Sequence, residues 1–139
     1  MADLITTAQY FKVQVPDKPG EVAKLLAPLR EANVNLLALY AFPRNRRTQV
    51  DFVPEDPAAF TRVGKQARWK LQGPKTCFLV EGEDRPGALA EVTARLGKAR
   101  INMTAINGRA AGHGRYGALL WVKSRDVKKA AKALGIEGA

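Results

Sequence analysis

Val15-Pro-Asp-Lys-Pro-Gly-Glu-Val-Ala-Lys-Leu-Leu26 is answered later in the chain by Gly82-Glu-Asp-Arg-Pro-Gly-Ala-Leu-Ala-Glu-Val-Thr93. Asp17, Pro19, Gly20 and Ala23 fall on Asp84, Pro86, Gly87 and Ala90 at one offset of 67 positions. The same offset carries Leu29 onto Leu96, Val34 onto Ile101 and Asn35 onto Asn102. Agreement at turn, helix and strand-entry positions under a single offset marks an internal duplication.

Working outward from the Asp-x-Pro-Gly turn, each copy reads in the same order. Tyr10–Val15 alternates apolar and polar residues, and Thr76–Val80 takes the same place in the second copy; both read as strands. The turn puts proline where the first helical residue is expected, since its missing N–H is no loss there. Val22, Leu25, Leu26 and Leu29 then recur at helical spacing, as do Leu89, Val92 and Leu96. Strand pairs follow at Leu36–Phe42 with Arg47–Val53 and at Met103–Ala110 with Tyr116–Val122. Second helices are expected over Pro57–Arg68 and Asp126–Leu134, the latter stopped by Gly135.

These readings divide the chain into modules at 1–73 and 74–139, each following a βαββαβ plan. Trp69–Gln72, ahead of the Gly73-Pro74 break, is the expected fourth strand of the first module. The second module ends at Gly135-Ile-Glu-Gly-Ala139, too short for a clear fourth strand. That slot is either an open edge or is filled by another segment, such as Leu4–Ala8, or by a neighbouring chain. An open edge invites pairing, which points to a homo-oligomer or an exchanged strand.

Composition narrows the class. With 46% hydrophobic and 26% charged residues the 139-residue chain is globular. The opening Met1-Ala2-Asp3-Leu4-Ile5-Thr6-Thr7 carries no basic n-region or apolar core, and no apolar run approaches the roughly 18 residues a bilayer span needs. A cytoplasmic, non-membrane location is the expectation. One cysteine, Cys77, and one histidine, His113, can form neither an internal disulfide nor a closed zinc site, so no metal or cofactor is expected. The net charge of +10 raises affinity for nucleic acid, anionic metabolites or acidic partner surfaces without choosing among them.

Asp-x-Pro-Gly-x-[Val/Leu], followed after one amphipathic helix by [Val/Ile]-Asn, resembles the signature of the ACT domain family. Both copies carry it, as Asp17–Val22 with Val34-Asn35 and Asp84–Leu89 with Ile101-Asn102. The resemblance implies an α+β fold of two ferredoxin-like modules with strand order 4-1-3-2, packed as an intramolecular pseudo-dimer. It also implies a non-catalytic regulator that binds an amino acid or similar small metabolite where the modules meet, and that acts on a regulated enzyme or regulator protein. The ligand residues it implies are Asp17, Lys18, Gly20 and Asn35 in the first copy, and Asp84, Arg85, Gly87 and Asn102 in the second.

Physical chemistry is compatible with that assignment. A helix N-terminus favours an anion through its free N–H groups and dipole, and glycine lets a ligand approach the backbone closely. Asparagine offers both donor and acceptor, and the aspartates could meet an ammonium. Each residue also has a plain structural role open to it: aspartate as a local cap, glycine as a turn residue, asparagine as a tie at a strand start. Position 15 is valine and position 82 glycine, where some amino-acid-binding members of the family place a polar contact.

Two other features bear on function. In a 4-1-3-2 sheet the hairpins carrying Arg44, Arg46 and Arg47, and Arg109, His113 and Arg115, lie at the same end as the Asp-x-Pro-Gly loops and could form a basic rim. No nucleophile elbow, P-loop or His-Glu-x-x-His helix is present, and the carboxylates are scattered, so no enzyme activity is expected. RNA-recognition modules share the βαββαβ outline, and Gly114–Trp121 partly matches their longer motif, with Ala118 where a stacking aromatic is needed. A regulator working by protein contact alone is the remaining alternative.

Overall fold

The computed structural model describes residues 3–136. Five elements follow one another twice: β1 (Leu4–Pro16), α1 (Glu21–Glu31), β2 (Leu36–Arg44), β3 (Arg47–Pro54) and α2 (Pro57–Gln66), then β4 (Gln72–Glu83), α3 (Ala88–Lys98), β5 (Met103–Gly112), β6 (Arg115–Val122) and α4 (Val127–Ala133). The chain forms two compact units. One comprises residues 9–75; the other comprises residues 76–136 together with residues 3–8. Both β1 and β4 therefore begin in one unit and end in the other.

In the 9–75 unit, β3 pairs antiparallel with β1 (Phe11 opposite Phe52, Val13 opposite Val50) and with β2 on its other side. The fourth position, beside β1, is held by the start of β4, where Gly73 lies against the backbone of Tyr10 and Phe11. The order is 4-1-3-2. The expected fourth strand at Trp69–Gln72 is displaced: Trp69 and Leu71 precede the strand, which starts at Gln72 and runs through Gly73-Pro74. Trp69 packs inward instead, its ring stacked on Phe52 at 5.9 Å and tilted against Phe60. Burial of the indole outweighs its strand propensity.

Phe11, Val13, Val15, Leu25, Leu29, Val50, Phe52, Phe60 and Val63 form this unit's core. The i, i+4 spacing of Leu25 and Leu29 places one face of α1 on the sheet, as Phe60 and Val63 do for α2. Asp56 caps α2 by accepting from the Ala59 N–H at 3.2 Å, with Pro57 at the helix start. β3 is buried on both faces, so Gln49, Asp51 and Val53 are as secluded as Val50 and Phe52.

The second unit repeats the plan. β6 pairs antiparallel with β4 (Phe78 opposite Leu120) and with β5. The slot beside β4, which the sequence leaves open between a bare edge, Leu4–Ala8 and a neighbouring chain, is taken by the start of β1, residues 4–8. Its core is built from Phe78, Val80, Val92, Leu96, Ile101, Leu120, Ala130 and Leu134, with Ile5 of the borrowed strand packed against it. Of Gly135–Ala139, read from the sequence as too short for a clear fourth strand, residues 137–139 lie outside the described residues.

The duplication extends to helix ends. After α1, Asn33 takes a left-handed backbone and the Val34 N–H returns to the Leu29 carbonyl at 2.8 Å; after α3, Arg100 and the Ile101–Leu96 bond (3.0 Å) repeat it at the same offset. This six-to-one closure satisfies carbonyls that a helix end would leave bare. Gly135 does the same for α4, with the Ile136 N–H on the Ala131 carbonyl.

Candidate functional site

In both units the Asp-x-Pro-Gly turn joins the first strand to the first helix. The prolines stand earlier than expected: α1 starts at Glu21 and α3 at Ala88, with Gly20 and Gly87 as N-caps. These glycines adopt φ of +87° and +78°, and a Cβ at either would meet nothing within 4 Å. Glycine is favoured there by backbone conformation, not by crowding. Neither helix receives a side-chain cap from the aspartate.

The turn of the 76–136 unit is tied to the β5–β6 hairpin, because the Asp84 N–H donates to the Gly114 carbonyl at 2.8 Å. Beside it lies a pocket of about 330 Å³ lined by Asp84, Arg85, Gly87, Leu89, Gly108, Arg109 and Tyr116. Its size suits a small metabolite. The lining combines apolar Leu89 and Ala110 with a polar set containing both signs of charge, the mixture an amino-acid zwitterion needs. The pocket thus brings Asp84, Arg85 and Gly87 together with the hairpin's Arg109.

Arg85 is heavily engaged. Its Nη1 donates to Asp3 Oδ1 at 3.1 Å and to the Glu83 carbonyl at 2.9 Å; its Nη2 reaches Asp3 Oδ2 at 3.4 Å and Glu91 at 3.2 Å. The Tyr116 hydroxyl donates to Asp3 Oδ2 at 2.8 Å. Burial pushes the Asp3 carboxyl up, but hydrogen bonds from Arg85 and Tyr116 and the Arg85 charge more than reverse this, leaving it below its ordinary value. Tyr116 moves the other way, to about 12, through burial and its bond to the Asp3 carboxylate. Neither Asp3 nor Tyr116 was marked as a site residue by the repeat. Asp3 lies ahead of the duplicated pattern, and Tyr116 reads from sequence as an ordinary strand aromatic.

In the 9–75 unit the equivalent turn is tied to its hairpin by a side chain: Thr48 Oγ1 donates to Asp17 Oδ1 at 3.0 Å. The Arg47 guanidinium reaches the Gln14 carbonyl at 3.4 Å, so this hairpin also lies beside the turn, as the strand order requires. Asp17, Lys18 and Gly20 are exposed. Asn35 lies beyond the other end of α1, in a separate pocket of about 360 Å³ with Arg30 and Asn33, and its Nδ2 donates to Glu55 at 3.3 Å. Asn102 holds the corresponding exposed position after α3. Within a unit, turn and asparagine are therefore separated by a helix of 11 residues, roughly 16 Å at 1.5 Å per residue.

Residues 78–136 match the ACT domain family. The matched stretch lies within the unit that carries the 330 Å³ pocket. Over nearly its whole length the chain also shares its fold with solved structures. A protein from Bacteroides thetaiotaomicron aligns at 16% identity with a TM-score of 0.77, covering 97% of this chain and 99% of the other. The regulatory subunit of aspartate kinase from Thermus thermophilus, in its ligand-free form, aligns at 18% identity and a TM-score of 0.64, covering 100% and 98%. That of Thermus flavus gives 19% and 0.58, covering 96% and 95%. At these identities the likeness is one of fold. No curated protein matches the chain by sequence.

Tyr116 and Trp121, the aromatics of the partial RNA-recognition motif, are buried, as is Phe78. They present no stacking surface for bases. Among the described residues, no group of three or more His, Cys, Asp or Glu could hold a metal ion, and no helix is long and apolar enough to cross a membrane.

Proposed function

We propose that both units are ACT domains and that the chain is a non-catalytic regulatory protein which binds an amino acid or a close relative. The observation that carries this reading is the pocket beside the Asp84–Gly87 turn, whose lining combines Asp84, Arg85, Arg109 and Tyr116 with apolar Leu89 and Ala110. Asp84 suits the ligand ammonium, and the cations of the turn and hairpin suit its carboxylate. Leu89 and Ala110 accommodate a short side chain. In the other unit, Asp17, Lys18 and Gly20 take the corresponding roles, while Asn35 and Asn102 are not needed by a site formed within one unit.

The regulatory role draws support from the aspartate kinase subunits that share this fold over their whole length. Binding would favour one conformation that a partner enzyme or regulator then reads, which requires only differential affinity for two states. A thermal-shift screen against the twenty amino acids, with a short single-stranded RNA included, tests the assignment. A ligand at a hundred times its Kd stabilises the native state by about 2.7 kcal/mol, a readily measured shift. One or two amino acids raising Tm is the expected result; a salt-sensitive response to RNA alone would overturn it.

A further inference from the structure

We propose that Asp3 is an internal competitor at this site: its carboxylate holds the Arg85 guanidinium, and an external carboxylate engages Arg85 only by displacing it. This rests on the assignment of the Asp84–Gly87 turn as the ligand site and concerns its regulation.

The contact has the form of ligand recognition. Two Arg85 nitrogens meet the two Asp3 oxygens at 3.1 and 3.4 Å, the two-point geometry by which a guanidinium binds any carboxylate. Tyr116 adds a third bond at 2.8 Å, and both Arg85 and Tyr116 line the pocket. The Asp3 side chain is only 6% exposed. Its place exists because residue 82 is glycine: a Cβ there would collide with the Asp3 carboxylate. The equivalent position in the other copy is Val15, and there the turn carries Lys18, exposed, where Arg85 stands.

Arg85 has little capacity left. The Glu83 carbonyl and Glu91 take the other hydrogens of the two Nη nitrogens, so a ligand gains a two-point contact with that end of the guanidinium only in place of Asp3. An internal carboxylate also competes at an effective concentration on the order of millimolar or above. If Asp3 holds Arg85 nine-tenths of the time, the apparent affinity of an external carboxylate falls tenfold. The arrangement makes the ligand response depend on the docking of the strand that Asp3 leads.

The test uses acetate as the carboxylate probe, titrated into the full chain while the Arg85 Nε and Gly87 amide signals are followed by NMR at constant ionic strength. Asp3→Asn keeps the shape and removes the charge; it should bind acetate at least tenfold more tightly than the wild type, and the double variant with Arg85→Gln should lose the gain. A second reading needs no variant: saturating acetate on the wild type should shift the Tyr116 ring signals as Asp3 departs. Equal affinities for wild type and Asp3→Asn, or acetate bound at Arg85 with the Tyr116 signals unmoved, would overturn the proposal. Repeating the titration with the twenty amino acids separates the two readings. Tighter acetate binding by Asp3→Asn with no amino acid bound by either protein leaves the competitor standing and removes the amino-acid assignment. An amino acid bound equally by both proteins does the reverse.

Discussion

The hydroxyl of Tyr116 reaches across 113 positions of sequence to donate a 2.8 Å hydrogen bond to the carboxylate of Asp3. This one bond ties a strand borrowed from the start of the chain to the middle of the unit it completes. Tyr116→Phe should destabilise the protein by about 1 kcal/mol at neutral pH, the usual net worth of such a bond. Its pH signature is more specific. Tyr116 is raised from 10 to about 12 in the folded protein, so its contribution is full below pH 10 and is lost as pH rises towards 12. Asp3 is lowered, so its contribution is present above the ordinary carboxylate value of 3.8 and disappears as pH falls below it. Urea melts should show the alkaline decline in the wild type and its absence in Tyr116→Phe.

Asp51 behaves in the opposite sense. It is buried on β3, accepts a 2.9 Å bond from Gln49, and stands opposite Lys12 on β1. Burial raises its pKa, and Gln49, Lys12, Arg44 and Lys75 only partly offset this. A carboxyl raised on folding favours the native state while protonated, and that contribution is lost as pH climbs from about 3.8 through the folded value. Asp51→Asn is therefore expected to gain stability relative to the wild type as pH rises from 3 to 7. A constant difference over that range in denaturant melts would mean that the Asp51 carboxyl has the same pKa folded and unfolded, its partners fully offsetting its burial.

The turn glycines and a helix glycine should respond oppositely to alanine. Gly87 has φ of +78° and free space around its missing Cβ, so Gly87→Ala suffers only the left-handed backbone penalty, about 1–2 kcal/mol. Gly97 lies inside α3, also with open space, but in helical geometry; Gly97→Ala should stabilise by about 0.5–1 kcal/mol. Thermal unfolding of the two variants gives the comparison directly. Equal losses in both would show that crowding, not backbone conformation, decides these positions.

Repetition made the fold legible. Leu25 and Leu29 on one helix, and Val92 and Leu96 on the other, carry the same periodicity and do face their sheets. What could not be read was which segment completes which sheet, because a fourth strand is defined by long-range pairing and not by local pattern. Trp69 looked like a strand residue and packs, partly buried, against the core; Gly73-Pro74 looked like a break and lies within β4. The candidate site divides in the same way. Asp84, Arg85 and Gly87 announce themselves through the repeated turn, whereas Asp3 has no motif. A lone aspartate ahead of a strand carries no sign that Arg85 and Tyr116 will meet it.

Gly108 provides the most direct test of the pocket. It lies on β5 in ordinary extended backbone, is exposed, and lines the cavity opposite Leu89. A Cβ there would come within 2.7 Å of Leu89 Cδ1, the mobile end of a flexible side chain. Valine at this position should fold well, since β-branched residues suit strands and Leu89 can turn aside. Both the new side chain and the displaced leucine then occupy space that a ligand would use. Gly108→Val is expected to retain the wild-type Tm without ligand, within about 1 kcal/mol of stability, while losing the part of the amino-acid-induced shift that binding beside Asp84 supplies. Arg46→Ala, at the tip of the other unit's hairpin, should keep that shift. An undiminished response in Gly108→Val would place the bound amino acid elsewhere on the chain, for the cavity beside Asp84 cannot hold both.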